Sequence, residues 1–136
     1  VYGEVTMLNE GFGGGDLRLR LMQLKFYLRA VANSILDYQM HCTKMTDDEA
    51  MKFLTRDSFQ SEGEAKLKVI RAKQSSVQLS TYFVGRMAHY QLHQAIEREL
   101  GDKFNLARYH EAVLSTGSIP PKYLPELVRR KLEGTP

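Results

Sequence analysis

Two histidines and a glutamate recur at helical spacing near the middle of the chain, and they could hold a metal ion. His89, His93 and Glu97 are each four residues apart, so on a helix they share one face. Imidazole and carboxylate are ligands that Zn²⁺ accepts. A zinc-peptidase helix of the H-E-x-x-H type, however, has a glutamate directly after its first histidine, and Tyr90 stands there. We therefore favour a solvated surface over a metal site for this pair.

The other two histidines also belong to candidate motifs. His110 is followed by a glutamate, but Leu114 stands where the second histidine of H-E-x-x-H would be needed, which excludes that motif. Asp37 and His41 are four residues apart and could form a carboxylate–imidazole pair that fixes the tautomer. The adjacent Cys42 falls on a predicted packing seam, where a thiol is inert. We predict a structural pair rather than a catalytic one.

Tyr82 is a candidate of a different kind. It lies in the stretch QLSTYFVG, at the predicted start of a helix, where a phenol can point away from the packed body. A hydroxyl in that position can donate a hydrogen bond to a developing oxyanion. A packed core or interface tyrosine is the alternative, and by residue type alone it is the commoner outcome.

A long helix is the element that should organise these residues. It is predicted over about residues 16–44, with Asp16 as its cap. Apolar residues follow in steps of four and three, the spacing typical of a helix that packs along one seam: Leu17, Leu21, Leu24, Leu28, Val31, Ile35, Tyr38 and Cys42. Further apolar residues lie beside this seam, so we expect the helix to be wrapped on more than one side, at the centre of a bundle.

Start and stop signals divide the rest of the chain into shorter helices. Two capping boxes, of the form S/T-x-x-E, predict helix starts at Thr46 and Ser61. Glycines are expected to end two later helices, and an asparagine to cap one of them: Gly101, Gly117 and Asn105. Every apolar run fits a period of 3.6 residues and none alternates with period two. The predicted fold class is all-α, a multi-helix bundle around the long helix.

Length and charge limit the classes of function. The 136 residues match one helical domain, or a fragment of a larger protein. The 19 basic and 16 acidic residues are interleaved, which disfavours nucleic-acid binding, and no apolar run is long enough to span a bilayer. The chain begins with Val1 and has no signal-peptide pattern, so we expect a piece cut from something longer, with no compartment predicted. Apolar surface exposed by such a cut would favour a homo-oligomer.

The stretch from Gln78 onward resembles the end of a bacterial family, the domain of unknown function numbered 885. That family reads G-Q-x-x-S-Y-K-x-G, then a helix, L-G-x-x-F-D-L, F-H-x-x-V-L, a G-x-x-P turn and a last helix. Here ERELGDKFNLARYHEAVLSTGSIPPKYLPELV follows the same order. Three residues keep the family register and three depart from it: Gln78, Tyr82 and Gly85 against Val77, Thr81 and Phe83.

The upstream part of the chain resembles the same family. Tyr2, Gly3 and Glu4 are similar to the Y-x-E that follows the family's E-G-W-A stretch, and Arg29, Asp37 and His41 keep the register of its next helix. The resemblance thus spans nearly the whole chain, and it is strongest from Gln78 to Leu127.

The resemblance implies a helical zinc metallopeptidase whose H-E-x-x-x-G-H ligands would lie before Val1. This chain would then be the C-terminal helical portion of a zinc-dependent hydrolase, peptidase-like but not catalytic alone, with the N-terminal remainder of the protein as its partner. No cofactor is expected in the chain itself, and zinc is implied for the larger protein. Tyr82 would stabilise the tetrahedral intermediate, and Gln78 would contact the substrate backbone. The alternative is a non-catalytic helical interaction module.

Overall fold

The structure is a computed structural model that describes residues 2–134, and among these residues it contains helices and turns but no strand. The helices are α1 (Tyr2–Asn9), α2 (Leu17–Cys42), α3 (Asp47–Lys52), α4 (Glu62–Gln74), α5 (Thr81–Leu100), α6 (Leu106–Leu114) and α7 (Leu124–Glu133). A π-turn (Phe53–Asp57) extends α3, and short 3₁₀ turns lie at Gln78–Ser80, Gly101–Lys103 and Pro121–Tyr123. The predicted all-α class is confirmed, and the long helix lies where it was expected.

The helix starts follow the local signals in the sequence. The Asp16 carboxylate accepts a hydrogen bond from the backbone N–H of Arg18. Both predicted capping boxes form: in each, the hydroxyl accepts from the glutamate N–H and the carboxylate accepts from the cap N–H. Asn105 caps α6 through the N–H of Arg108. These bonds satisfy donors that have no partner within the first helical turn.

The chain divides into two compact units, an N-terminal unit (Val1–Val84) and a C-terminal unit (Gly85–Pro136). The core of the N-terminal unit is built from small and medium side chains of α2, α3, its π-turn, α4 and the following turn: Ala32, Leu36, Ala50, Leu54, Ala65, Val69, Ala72 and Leu79. Four alanines in this core allow close approach of the helices. The expectation of a single helical domain or fragment remains a prediction.

The C-terminal unit has its own core, formed by α5, α6 and α7. Its buried members are Leu92, Ile96, Tyr109, Ala112, Leu124 and Val128. At its surface, the guanidinium of Arg129 donates to both carboxylate oxygens of Glu99, at 2.8 and 2.6 Å, and this ion pair holds the pKa of Glu99 below its usual range. The ammonium of Lys131 donates to the hydroxyl of Ser115. Polar contacts of this kind tie α7 to α5 and α6.

The prediction that the apolar seam of α2 packs into a core is wrong for the N-terminal unit. Leu17, Leu21 and Leu24 are 79%, 67% and 53% exposed, and Cys42, which was expected to be buried, is exposed as well. The buried residues of α2 lie on the opposite face, and most are small or polar: Gln23, Ala30, Ala32, Asn33, Leu36 and Asp37. Periodicity identifies an apolar stripe, but it does not determine which neighbour covers it.

Candidate functional site

The turn that leads into α5 is held by a buried carboxylate on α2. Asp37 is 2% exposed. Its Oδ1 accepts a hydrogen bond from the backbone N–H of Val77 at 3.1 Å. Its Oδ2 accepts from the N–H and from the hydroxyl of Ser80, at 3.2 and 2.9 Å. A carboxylate with several donors is fully satisfied although it is buried, so Asp37 fixes the position of the 3₁₀ turn Gln78–Ser80.

Val77 adopts a backbone conformation that is unusual for its residue type. Its φ is +70°, in the left-handed region, where β-branched residues are rare. Its side chain is largely exposed, so packing does not explain the conformation. The positive φ places the Val77 N–H against the Asp37 carboxylate, and the hydrogen bond offsets part of the strain.

Tyr82 and Gln78 lie one helical turn apart at this start of α5. Tyr82 is 60% exposed, so it is not a core tyrosine, and its role as an oxyanion donor stays a prediction. Gln78 is also exposed. Its Oε1 accepts from the guanidinium of Arg71, at 3.1 and 3.0 Å, and more weakly from the hydroxyl of Ser75 at 3.4 Å. The side-chain oxygen of Gln78 is therefore occupied within the N-terminal unit, and its amide nitrogen is the group that can donate to a ligand.

The guanidinium of Arg71 contacts Gln78, and the sequence motifs did not predict this contact or the charged residues near Arg71. Arg29 forms an ion pair with Glu64 at 3.0 Å, and this contact, after the N–H of Ser61, helps to hold the pKa of Glu64 below its usual range. Burial, and then the nearby guanidinium groups of Arg29 and Arg71, lower the pKa of Lys68. Lys68 therefore lies near two guanidinium groups and the Glu64 carboxylate. No local signal could have revealed the contact between Arg71 and Gln78, because α4 ends at Gln74 and Gln78 lies in a separate 3₁₀ turn.

His41 contacts Asp37, as its spacing predicted, but it does not form the principal hydrogen bond of the carboxylate. The His41 Nε2 lies 3.5 Å from Asp37 Oδ1 and 2.9 Å from the backbone oxygen of Ala72. Since a carbonyl only accepts, Nε2 carries the proton and donates a hydrogen bond to the backbone oxygen of Ala72. The imidazole therefore links α2 to the end of α4 beside the Asp37 turn.

Two histidines of the C-terminal unit, His93 and His110, belong to an aromatic cluster rather than to a fully solvated face. The ring of His93 stacks against the rings of Phe104 and Tyr109, with centroid distances of 5.3 and 5.1 Å. The ring centroid of His110 lies 5.4 Å from that of Tyr109. The expectation of a solvated His89–His93 surface was therefore wrong for His93, which is half-buried. His89, also half-buried, lines a shallow cavity with the segment 117–120.

The zinc that the family resemblance implies would need a group of three or four donor side chains. Between residues 2 and 134, no three His, Cys, Asp or Glu side chains are grouped so that they could hold a metal ion. His89, His93 and Glu97 do not form such a group. The described residues therefore do not supply a zinc site.

None of the helices between residues 2 and 134 combines the length and apolar character needed to cross a membrane.

The helices and the Asp37 turn define an all-α, multi-helix class of protein. More narrowly, the chain belongs to the family described as "Bacterial protein of unknown function (DUF885)", whose model matches residues 1–128. The family assignment made from Gln78, Tyr82 and Gly85 is thereby confirmed. No curated protein matches the chain at a significant level.

A solved structure is similar to nearly the whole chain. It is that of a candidate lipoprotein of unknown function from Shewanella oneidensis, with 38% sequence identity and a TM-score of 0.89. The match covers 94% of the present chain but only 23% of the Shewanella chain. The present chain therefore spans about a quarter of the length of that relative.

Proposed function

We propose that this chain is the C-terminal helical portion of a zinc-dependent, peptidase-like hydrolase. In this proposal Tyr82 donates a hydrogen bond to the oxyanion of the tetrahedral intermediate, and Gln78 holds the substrate backbone. The observation that supports it best is the exposed Tyr82 at the start of α5, just after a turn that the buried Asp37 fixes in place. Donors held rigidly before the reaction are the ones that stabilise developing charge effectively.

Gln78 suits a role in substrate binding because one end of its amide is already engaged. Arg71 binds the side-chain oxygen, which orients the NH₂ group as a donor. A peptide carbonyl is the complementary acceptor. Arg71 contacts Gln78 and Lys68 lies near Arg71, so this edge carries positive charge, which favours a substrate with a carboxylate nearby.

The metal ligands belong, in this proposal, to polypeptide outside the 136 residues. The described residues offer no grouped ligand set, so no chemical step is assigned to a metal here. The contribution of this chain is limited to positioning: Asp37 holds the turn, Gln78 orients the substrate, and Tyr82 donates to the oxyanion.

The alternative function is a non-catalytic helical interaction module. One observation favours it: α2 exposes a row of large apolar residues within the N-terminal unit, as an interaction surface would. In that case Tyr82 is a contact residue and not a donor to a reaction intermediate.

The experiment that tests the proposal uses a longer family polypeptide that carries these residues, assayed for zinc-dependent cleavage of a mixed peptide library by mass spectrometry. Tyr82→Phe should lower turnover about a hundredfold or more, because loss of one oxyanion donor costs about 2.7–4 kcal/mol. Substrate binding, zinc content and melting temperature should stay the same. Tyr123→Phe, a substitution at another half-exposed tyrosine, is the matched control.

The possible failures have different meanings. Absence of zinc-dependent cleavage in the unmodified polypeptide would reject the hydrolase and favour the interaction module. Cleavage with normal turnover of the Tyr82→Phe variant would reject only the assignment of Tyr82. Loss of zinc or of thermal stability in that variant would make Tyr82 a structural residue.

A further inference from the structure

The exposed side of α2 carries an apolar row with coiled-coil spacing, here called the α2 stripe. The stripe consists of Leu17, Leu21, Leu24, Leu28, Val31, Ile35, Tyr38 and Cys42. Of its large apolar members, five are between 42% and 79% exposed, and Leu28 and Val31 are half-buried. Monomeric proteins rarely expose contiguous apolar patches of this kind without a partner.

The stripe is not a part of the core of the N-terminal unit. Gln23, Ala30 and Asp37, which are seven residues apart, are all buried and mark the covered face of α2. The stripe lies on the other side of the helix, because residues at positions such as 21, 28 and 35 are rotated far from 23, 30 and 37. One face of α2 is therefore buried in the N-terminal unit, and a second, apolar face is exposed.

The steps of four and three define the stripe as the a and d positions of a heptad pattern. Leu21, Leu28 and Ile35 are then a positions, and Leu17, Leu24 and Val31 are d positions. Residues at such positions insert between the side chains of a facing helix, with the two helix axes crossing at about 20°. The geometry thus calls for a helix as occupant, rather than an extended strand.

The charges that flank the stripe are all positive in its first half. Arg18 and Lys25 occupy e positions and Arg20 occupies a g position, where interhelical ion pairs form. Arg18 is already paired with the capping Asp16, and Arg20 donates to Asn9. The second half of the stripe has no acidic residue at these positions. Its e positions are Ala32 and Gln39, and its g positions are Ser34 and His41.

This charge pattern disfavours a second copy of the chain as the occupant. In a parallel pair, Arg20 of one copy would face Lys25 of the other, and like charges at these positions repel. In an antiparallel pair the basic half would face a half that has no acidic e or g residue. Neither arrangement neutralises Arg20 or Lys25.

We propose that the α2 stripe binds an amphipathic helix with acidic flanks, contributed by the polypeptide outside these 136 residues. The Shewanella relative supports this source, because it places a region similar to this chain within a polypeptide of which that region is only 23%. The inference rests on the larger-protein part of the proposed function and is independent of hydrolysis.

A peptide titration tests the chemistry of the occupant. The probe is a labelled helical peptide of about four heptads, with Leu at a and d and Glu at e and g, and the matched probe carries Lys at e and g. Fluorescence anisotropy with the 136-residue chain should show binding of the acidic probe about tenfold tighter than that of the basic probe. Added salt should narrow this difference.

Variants assign the binding to the stripe. Leu21→Glu with Leu24→Glu should weaken binding of the acidic probe about tenfold or more, because two charges enter the apolar contact. Arg20→Glu with Lys25→Glu should reverse the preference between the probes. Leu114→Glu changes an exposed leucine of α6 and should have no effect. Circular dichroism verifies that each variant keeps its helices.

A labelling experiment tests the source of the helix. Residues 2–134 replace the matching region of the Shewanella protein, and Leu24→Cys in a Cys42→Ser background is treated with maleimide. The introduced thiol should react about tenfold more slowly in the chimera than in the isolated chain, since a covered thiol is protected. If the chimera does not fold, the peptide titration alone tests whether the α2 stripe binds an acidic helix.

Three results would overturn the inference. The first is equal binding, or absence of binding, of the two probes by the helical chain. The second is a tight dimer of the chain, seen by sedimentation and abolished by Leu21→Glu with Leu24→Glu, which would make the second copy the occupant. The third is an unchanged labelling rate in a folded chimera. None of these readouts depends on hydrolysis, so failure here is distinguishable from failure of the proposed function.

Discussion

The Asp37 carboxylate on α2 accepts hydrogen bonds from both the backbone N–H and the hydroxyl of Ser80, 43 residues later in the chain. This relationship joins the long helix to the turn that carries Gln78 and precedes Tyr82. A third bond, from the N–H of Val77, completes the contact. The geometry of the candidate site therefore depends on one buried side chain.

Asp37→Ala should destabilise the protein strongly, because three donors lose a charged acceptor. We expect a loss of about 3 kcal/mol in the free energy of unfolding, since each such bond to a charged group contributes about 1.5–3 kcal/mol and the donors regain some water. Urea denaturation followed by circular dichroism measures it. Asp102→Ala, at an exposed aspartate, should change stability by no more than about 0.5 kcal/mol. Equal effects of the two would refute the role of Asp37.

Val77→Gly should stabilise the protein. Glycine adopts a φ of +70° without steric cost, whereas a left-handed conformation costs other residues about 1–2 kcal/mol. The greater freedom of glycine in the unfolded chain offsets about 0.4–1 kcal/mol of this gain. We therefore expect a net increase of about 0.5–1 kcal/mol in the free energy of unfolding, measured with urea. Val84→Gly, inside α5, should instead destabilise, and a loss of stability in both variants would contradict the strain.

Glu49 should make stability depend on pH in the acid range. The N–H and then the hydroxyl of Thr46 hold the pKa of Glu49 below its usual 4.5. The ionised carboxylate therefore favours the folded state above pH 4.5, and this contribution is lost as the pH falls through the lower, folded-state pKa. Glu49→Gln removes it, so the two proteins should differ at about pH 7 and converge in acid. Urea unfolding that showed a constant difference from about pH 7 to about pH 2 would disprove this.

His93 should stabilise the C-terminal unit through its aromatic contacts. His93→Ala removes stacking against Phe104 and Tyr109 and should lower the free energy of unfolding by about 1–2 kcal/mol. His93→Phe keeps a planar ring and should lose much less. Thermal unfolding by calorimetry compares the two variants. A similar loss in both would show that the imidazole nitrogens, rather than the ring stacking, are what matters.

Local signals in the sequence were sufficient for the starts of α2, α3, α4 and α6. The capping boxes at Thr46 and Ser61 and the caps Asp16 and Asn105 form as expected, because a cap bonds to residues two or three positions away and needs no distant partner. The family assignment came equally from the sequence, since Gln78, Tyr82 and Gly85 keep their spacing along the chain.

The tertiary structure decided which faces and side chains are covered. The apolar period of α2 was read correctly, but the N-terminal unit packs on the opposite face, around Ala30 and Asp37, and leaves Cys42 exposed. The hydrogen bonds that Ser80 donates to Asp37 and the stacking of His93 on Tyr109 join different helices or turns. Periodicity and caps are properties of neighbouring residues, whereas burial and long-range hydrogen bonds depend on which segments meet in space, and a single sequence does not specify that locally.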